Sequence, residues 1–157
     1  MITIVKTNAD NSDFINLIQA LDQDIAIRDG EEHTFYAQFN KTDHIKHVLV
    51  AYHNNQAIGC GAFKPYQGSV AEIKRMYVTP EGRGKGIATQ ILIGLQQWAA
   101  QHNFTSCILE TGQRYPEAIA LYLKNGFQIT ENYGQYIGIE DSVCFQKEIE
   151  QQRRYDL

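Results

Sequence analysis

One stretch near the middle of the chain restricts its folding more than any other. Residues 71–78 read as a strand, and behind them comes the turn Thr79-Pro80-Glu81-Gly82-Arg83-Gly84-Lys85-Gly86. Ile87, Ala88, Ile91, Leu92, Leu95, Trp98 and Ala99 then fall on one helical face over about three and a half turns. A strand that runs through a tight turn into an amphipathic helix has to lay that helix against its own sheet, which makes the chain α/β. The start of such a helix exposes unpaired N–H groups and the positive end of its dipole, so it suits a phosphate. Gly84 and Gly86 let a ligand approach the backbone, and Arg83 and Lys85 add two cations. The other reading is a solvated turn whose glycines only bend the chain. Two phosphate motifs are excluded. A Walker loop needs Ser or Thr after its lysine, where Gly86 stands, and a dinucleotide fingerprint needs glycine at Ile87.

The rest of the chain fits around this stretch. Residues 1–7 alternate as a half-buried strand, and Ser12 is the expected cap of a helix carrying Phe14, Ile15, Ile18, Leu21 and Ile25. A short second helix is expected over 34–39. Strands at 47–53 and 56–63 meet at Asn54-Asn55, a pair that tolerates the positive φ of a tight hairpin. A turn at Gln67-Gly68 leads into the strand at 71–78, completing a meander. After the long helix come a strand at 107–109, a helix over 116–124 with Pro116 at its first position and Gly126 as its left-handed stop, and strands at 127–129 and 142–148. No repeat or linker interrupts the chain, so residues 1–157 are expected to form a single domain.

Charge and cysteine usage remove other classes. The 14 basic and 18 acidic residues leave a net charge of −4, a poor basis for nucleic-acid binding, and no stretch reaches the roughly 18 apolar residues of a membrane helix. The N-terminus carries no pattern of a secretory signal, so the two sequons carry no meaning, and a cytoplasmic protein is expected. Cys60, Cys107 and Cys144 sit in apolar runs and read as buried thiols. His44 and His47 form an H-x-x-H without further ligands, so no metal is expected and solvated histidines are. Trp98 and its stripe are expected in the core.

Four segments in order resemble the GNAT superfamily of acyl-CoA-dependent N-acetyltransferases. Arg83-Gly84-Lys85-Gly86-Ile87-Ala88 matches the family signature of Gln or Arg, two residues, Gly, one residue, then Gly or Ala. The strand Ala71-Glu72-Ile73-Lys74-Arg75-Met76-Tyr77-Val78 is similar to its central strand, and Ile108-Leu109-Glu110-Thr111-Gly112 and Ala118-Ile119-Ala120-Leu121-Tyr122-Leu123-Lys124-Asn125-Gly126-Phe127 to its later strand and helix. The resemblance implies a mixed, mostly antiparallel sheet of six to seven strands flanked by about four helices. In it two central parallel strands splay apart and take acetyl-CoA between them. The pyrophosphate would lie on the N–H groups of Arg83, Gly84, Lys85, Gly86, Ile87 and Ala88, with Thr89 beside them. The pantetheine arm would pair with Met76, Tyr77 and Val78 like an added strand.

The same resemblance implies roles for side chains. Attack of an amine on a thioester needs a neutral amine, a stabilised oxyanion and a protonated leaving thiol. Tyr122 occupies the tyrosine place of the pattern A-x-x-x-Y-x-x-x-G-F and is the expected acid; the alternative is a ring packed under Phe127. Glu72 stands where part of the family carries a glutamate base, with Lys74 and Met76 placed on its face by the period of two. An ordinary carboxylate, with pKa about 4.3, is too weak to strip an ammonium unaided, so the base would need an apolar site or a relaying water. Its alternatives are a surface carboxylate paired with Lys74 or Arg75, and Glu110 as the base. A backbone N–H near Met76 or Tyr77 would hold the oxyanion. The acceptor site is implied at the loops 24–36 and 131–142, which bring Glu31, Glu32, Glu140, Asp141, Tyr133 and Tyr136, congenial to a cationic amine. Arg28 and Arg75 would suit the carboxylate of an amino acid instead. The expected partner is the primary amine of a small molecule, or of a peptide, and a homodimer stays open. A domain that binds acetyl-CoA as a sensor without turnover is the alternative function.

Overall fold

The computed structural model describes residues 1–30 and 44–150. The expected helix over 34–39, together with Glu31, Glu32 and Tyr36, lies outside them. The described elements are β1 (Ile2–Thr7), α1 (Ser12–Asp29), β2 (His47–His53), β3 (Gln56–Pro65), β4 (Val70–Val78), α2 (Ile87–Gln101), β5 (Ser106–Gly112), α3 (Pro116–Lys124), β6 (Gln128–Thr130) and β7 (Ser142–Glu148), with single 3-10 turns at Pro80–Gly82 and Gly134–Tyr136. One seven-stranded sheet runs in the order β1-β2-β3-β4-β5-β7-β6. β4 and β5 are parallel, while β1–β2, β2–β3, β5–β7 and β6–β7 are antiparallel. Three α-helices are present among the described residues, against the four or so expected.

By their contacts, the described residues of Met1–Lys64 and Lys74–Leu92 form one compact unit, and those of Pro65–Ile73 and Ile93–Leu157 the other. In the first unit α1 is capped by Asn11, whose side chain accepts from Phe14 N at 3.0 Å; Ser12, the expected cap, is the first helical residue. Phe14, Leu17, Ile18 and Leu21 recur on one face and bury against Val48, Val50, Cys60 and Ala62. Each large side chain so buried contributes about 2 kcal/mol. The β2–β3 hairpin turns through Asn54 and Asn55 at φ 50° and 66°, as their tolerance of this region predicts. α2 packs close on β3 at Gly59, where a Cβ would sit 3.1 Å from Tyr77 O and from the Ile91 side chain.

In the second unit the parallel ladder pairs Val70 with Ser106, Ala71 with Cys107 and Glu72 with Ile108. β7 then lies antiparallel to β5, with Glu110 opposite Cys144 and Gly112 opposite Ser142. α3 ends as its sequence predicts: Gly126 takes φ 86°, and Phe127 N returns to Tyr122 O at 3.0 Å. Trp98, expected in the core, is only partly buried and tilts against His102. His47, expected in solvent, stacks on Phe63 with ring centroids 4.5 Å apart, whereas His44 is exposed.

Candidate active site

The glycine-rich turn belongs to the first unit. Thr79 N donates to Ile58 O and Gly82 N to Thr79 O, both at 2.9 Å, which fixes the start of the turn on β3. Gly82 is buried, and a Cβ there would meet Val78 at 3.0 Å and Ile58 at 3.3 Å. Arg83, Gly84, Lys85 and Gly86 are exposed. Gly84 and Gly86 adopt φ 79° and 75°, and nothing lies within 4 Å of where their Cβ atoms would be. Two reasons for glycine therefore coincide, a left-handed backbone and open space above it. Ile87, Ala88 and Thr89 open α2 ahead of its first intrahelical donor, Gln90, whose N–H reaches Gly86 O at 3.1 Å. Their N–H groups are the ones a helix start leaves for an anion. A pyrophosphate fits this surface. Arg83 is less free than its position suggests, because its Nε donates to Val78 O at 3.0 Å and its guanidinium lies 6.0 Å from the Tyr77 ring centre.

The second half of β4 departs from a regular strand. Arg75 has φ 60°, a left-handed conformation that is costly for a residue with a long side chain. Its side chain is only 2% exposed, and its Nη2 meets Asp22 Oδ1 of α1 at 2.5 Å. The Cys60 thiol donates to Arg75 O at 3.5 Å. Arg75 Nε and Thr79 Oγ1 are buried without a partner. The positive φ at Arg75 falls between Lys74 and Met76, so the period of two that was expected to run from Glu72 to Met76 is interrupted after Lys74. Arg75 is also withdrawn from the role of binding a substrate carboxylate, since it is buried and neutralised by Asp22. Burial pushes the Cys60 thiol up to about 12, against the pull of Arg75, so this cysteine is unreactive.

In the second unit Glu72 is 4% exposed, and the Tyr133 hydroxyl donates to its Oε2 at 2.6 Å. The surface-carboxylate reading of Glu72 is thereby corrected. Tyr133 sits between two further rings, edge-on to Tyr66 at 5.2 Å and to Tyr136 at 5.6 Å. Burial first, then the Glu72 charge and hydrogen bond, push the Tyr133 phenol far above its ordinary range. The Tyr136 phenol is also raised, by burial, then by Glu110 and Glu72. On the facing strands Ser142 donates to Glu110 Oε2 at 2.7 Å, and burial holds the Cys144 thiol up at about 11. Tyr66, Tyr133 and Tyr136 gather with the carboxyl groups of Glu72 and Glu110 in a half-buried to buried aromatic cluster, a setting that suits a cation.

Tyr122 is 6% exposed, and its ring packs at 63° on Phe127 and at 52° on Phe145. Its packing under Phe127 is thus a fact of the structure. Burial, with a smaller push from Glu110, raises its phenol well above 10, so the hydroxyl keeps its proton at every working pH. Asp141 pairs with Arg114, and Arg28 lies 4.0 Å from Asp24 within α1.

The Acetyltransferase (GNAT) family model matches residues 14–127, well over half of the chain. The chain belongs to the GNAT family. Among curated GNAT relatives, an IAA acetyltransferase of Azospirillum brasilense is 36% identical over 89 residues, covering 56% of this chain and 58% of the relative. An uncharacterized N-acetyltransferase of Escherichia coli, YjgM, is 30% identical, covering 68% of this chain and 65% of the relative. The chain thus spans roughly three fifths of these relatives' length. Among solved structures, a protein of Klebsiella pneumoniae assigned to the acyl-CoA N-acyltransferases superposes with TM-score 0.80 at 28% identity, covering 96% of this chain and 99% of that one. The PaiA N-acetyltransferase of Thermoplasma acidophilum, solved with coenzyme A, superposes with TM-score 0.69 at 19% identity over 94% of this chain and 99% of its own, a likeness of fold.

Sequence reasoning singled out the glycine-rich turn, Glu72 and Tyr122 as candidates, but missed the bond from Tyr133 to Glu72, the pair of Arg75 with Asp22, and the ring of Tyr66. A tyrosine 61 positions from its carboxylate leaves no local signal. Nor does Asp22, 53 positions from Arg75.

Proposed function

We propose that this protein is an acetyl-CoA-dependent N-acetyltransferase that acylates the primary amine of a small molecule by direct attack. The observation that carries the reading is the buried Glu72 carboxylate among tyrosines, in a chain whose family signature lies on an open turn with two left-handed glycines. In this reading the turn from Arg83 to Thr89 binds the pyrophosphate, and the main chain of Met76, Tyr77 and Val78 binds the pantetheine arm. Glu72, directly or through water, takes the proton of the attacking ammonium. The new C–N bond opens the thioester carbonyl to an oxyanion, which a main-chain N–H near Met76 or Tyr77 steadies; the oxyanion collapses as the C–S bond breaks, and the nitrogen loses its second proton to solvent. Tyr122 then gives its proton to the departing thiolate and regains one from solvent. The carboxylates and rings around Glu72 favour a cationic amine over an amino-acid carboxylate as the feature recognised.

Three free, buried cysteines suit a reducing compartment, and we place the protein in the cytoplasm. No helix among the described residues is long and apolar enough to cross a membrane.

The test is coenzyme release from acetyl-CoA with a panel of primary amines, followed by Glu72→Gln. An alkyl amine has a pKa near 10, so a base is needed most at low pH and least where the amine is already neutral. Glu72→Gln should therefore depress turnover steeply at low pH and progressively less as pH approaches 10. A mutant profile of unchanged shape would assign Glu72 to structure. Acetyl-CoA binding without release against any amine would favour the sensor reading.

A further inference from the structure

We propose that Tyr133 is the positioning residue for Glu72, a permanent donor that fixes the carboxylate for proton transfer; this rests on the reading of Glu72 as the base. The bond from Tyr133 Oη to Glu72 Oε2 is 2.6 Å, short and charge-assisted. The donor's ring is itself held, edge-on between Tyr66 and Tyr136. The loop that carries it is built from within: Asn132 Nδ2 donates to Tyr136 O and to Ile139 O, both at 3.0 Å. Farther along, Gln113 N holds Asp141 O at 2.8 Å, and Asp141 also pairs with Arg114. Gly134, beside the donor, takes φ 52°, and a Cβ there would sit 3.2 Å from the Tyr66 hydroxyl. The small residue thus lets Tyr66 close on the ring.

This arrangement leaves little freedom to the Glu72 carboxylate. With one oxygen held by a donor whose ring is packed on two sides, that oxygen is placed before any substrate arrives, which is the preorganisation that proton transfer rewards. The proton stays on the phenol, because the phenolate would be buried beside a carboxylate. The groups gathered with Glu72 are Tyr133 and Tyr136 from the loop, Cys144 from β7 and Glu110 from β5, the last two acting on the same tyrosine.

The test is Tyr133→Phe, which keeps the ring and its two edge contacts and deletes only the donor. With acetyl-CoA and the best amine of the panel, kcat should fall about tenfold or more while acetyl-CoA affinity by calorimetry stays put. A donor to a carboxylate favours its charged form, so losing it makes the base easier to protonate, and the acidic limb of the pH–rate profile should move to higher pH. Added to Glu72→Gln, Tyr133→Phe should cost little more, because its partner is already disabled. A profile scaled down without moving, or a full additive loss in the double variant, overturns the positioning role. If Glu72→Gln impairs turnover and Tyr133→Phe does not, positioning alone is overturned. If Glu72→Gln leaves rate and profile untouched, the base assignment falls and this inference falls with it.

Discussion

The turn from Gly82 to Thr89 and the cluster around Glu72 solve their problems with opposite materials. The turn works with main chain: Arg83 to Gly86 are exposed, its glycines carry no side chain, and its hydrogen-bond partners are close neighbours in sequence. The cluster works with side chains that are buried, drawn from β4, β5, β7 and the loop before β7, and every phenol and thiol resolved in it is pushed upward by burial. An anion needs N–H groups and room, which a local backbone conformation supplies. Proton transfer needs groups whose surroundings differ from water, which only tertiary packing supplies. The turn should accordingly respond to substitutions through binding, and the cluster through turnover.

Tyr122→Phe should break this division most visibly if the division is wrong. It keeps the contacts with Phe127 and Phe145 and deletes the hydroxyl that would protonate the thiolate. General-acid catalysis contributes about 10²–10⁴-fold, so kcat should fall by that order with acetyl-CoA affinity unchanged. Because the phenol is raised above 10, Tyr122 stays protonated and should cause no alkaline loss of activity in the wild type below about pH 10. A donor with a more acidic leaving thiol needs less help and should be hurt less. Equal loss for both donors, with chemistry rate-limiting, would remove Tyr122 from the acid role.

A smaller effect tests whether the main-chain region depends on a buried side chain after all. Asp22→Asn leaves the buried cation of Arg75, the left-handed residue that precedes Met76, without its counter-charge. Breaking a buried pair costs about 3 kcal/mol at the lower end, apt here because Asp22 is 49% exposed. Urea unfolding should report that loss. If acetyl-CoA affinity falls as well, the pair also shapes Met76 to Val78; if only stability falls, the strand geometry holds without it.

The same division decides what could be read in advance. Gly84, Gly86, Pro116, Gly126 and the Asn54-Asn55 pair each answer a local demand of the backbone, and each stands in the structure as its neighbours predicted. The periods of two and 3.6 placed the elements for the same reason. The positive φ at Arg75 has no such signature: arginine is a poor choice for that conformation, and its support comes from Asp22 and Cys60, far away in sequence. Glu72 was legible as a candidate through its place in the family pattern. That the Tyr133 hydroxyl reaches it depends on where the loop before β7 comes to rest. Local rules find the groups that hold a ligand; the groups that tune one another are found by folding the chain.

The finest test separates the two reasons for glycine at position 86. Gly86→Ala and Gly86→Asp both force a Cβ onto a residue at φ 75°, and neither Cβ meets an atom within 4 Å. The conformational cost to folding is therefore shared, about 1 kcal/mol, somewhat less for Asp because short polar side chains tolerate this region. The two differ in what they present to an anion. Alanine adds a methyl group in open space, whereas aspartate adds a negative charge where the pyrophosphate is proposed to lie. Gly86→Asp should weaken acetyl-CoA binding at least about tenfold, an effect softened by added salt, and Gly86→Ala should weaken it by clearly less. Calorimetry at two ionic strengths reads both, and urea unfolding checks that the stability losses match. Equal weakening by both substitutions would mean that the turn serves by its shape alone. No weakening by either would return it to a bend in the chain.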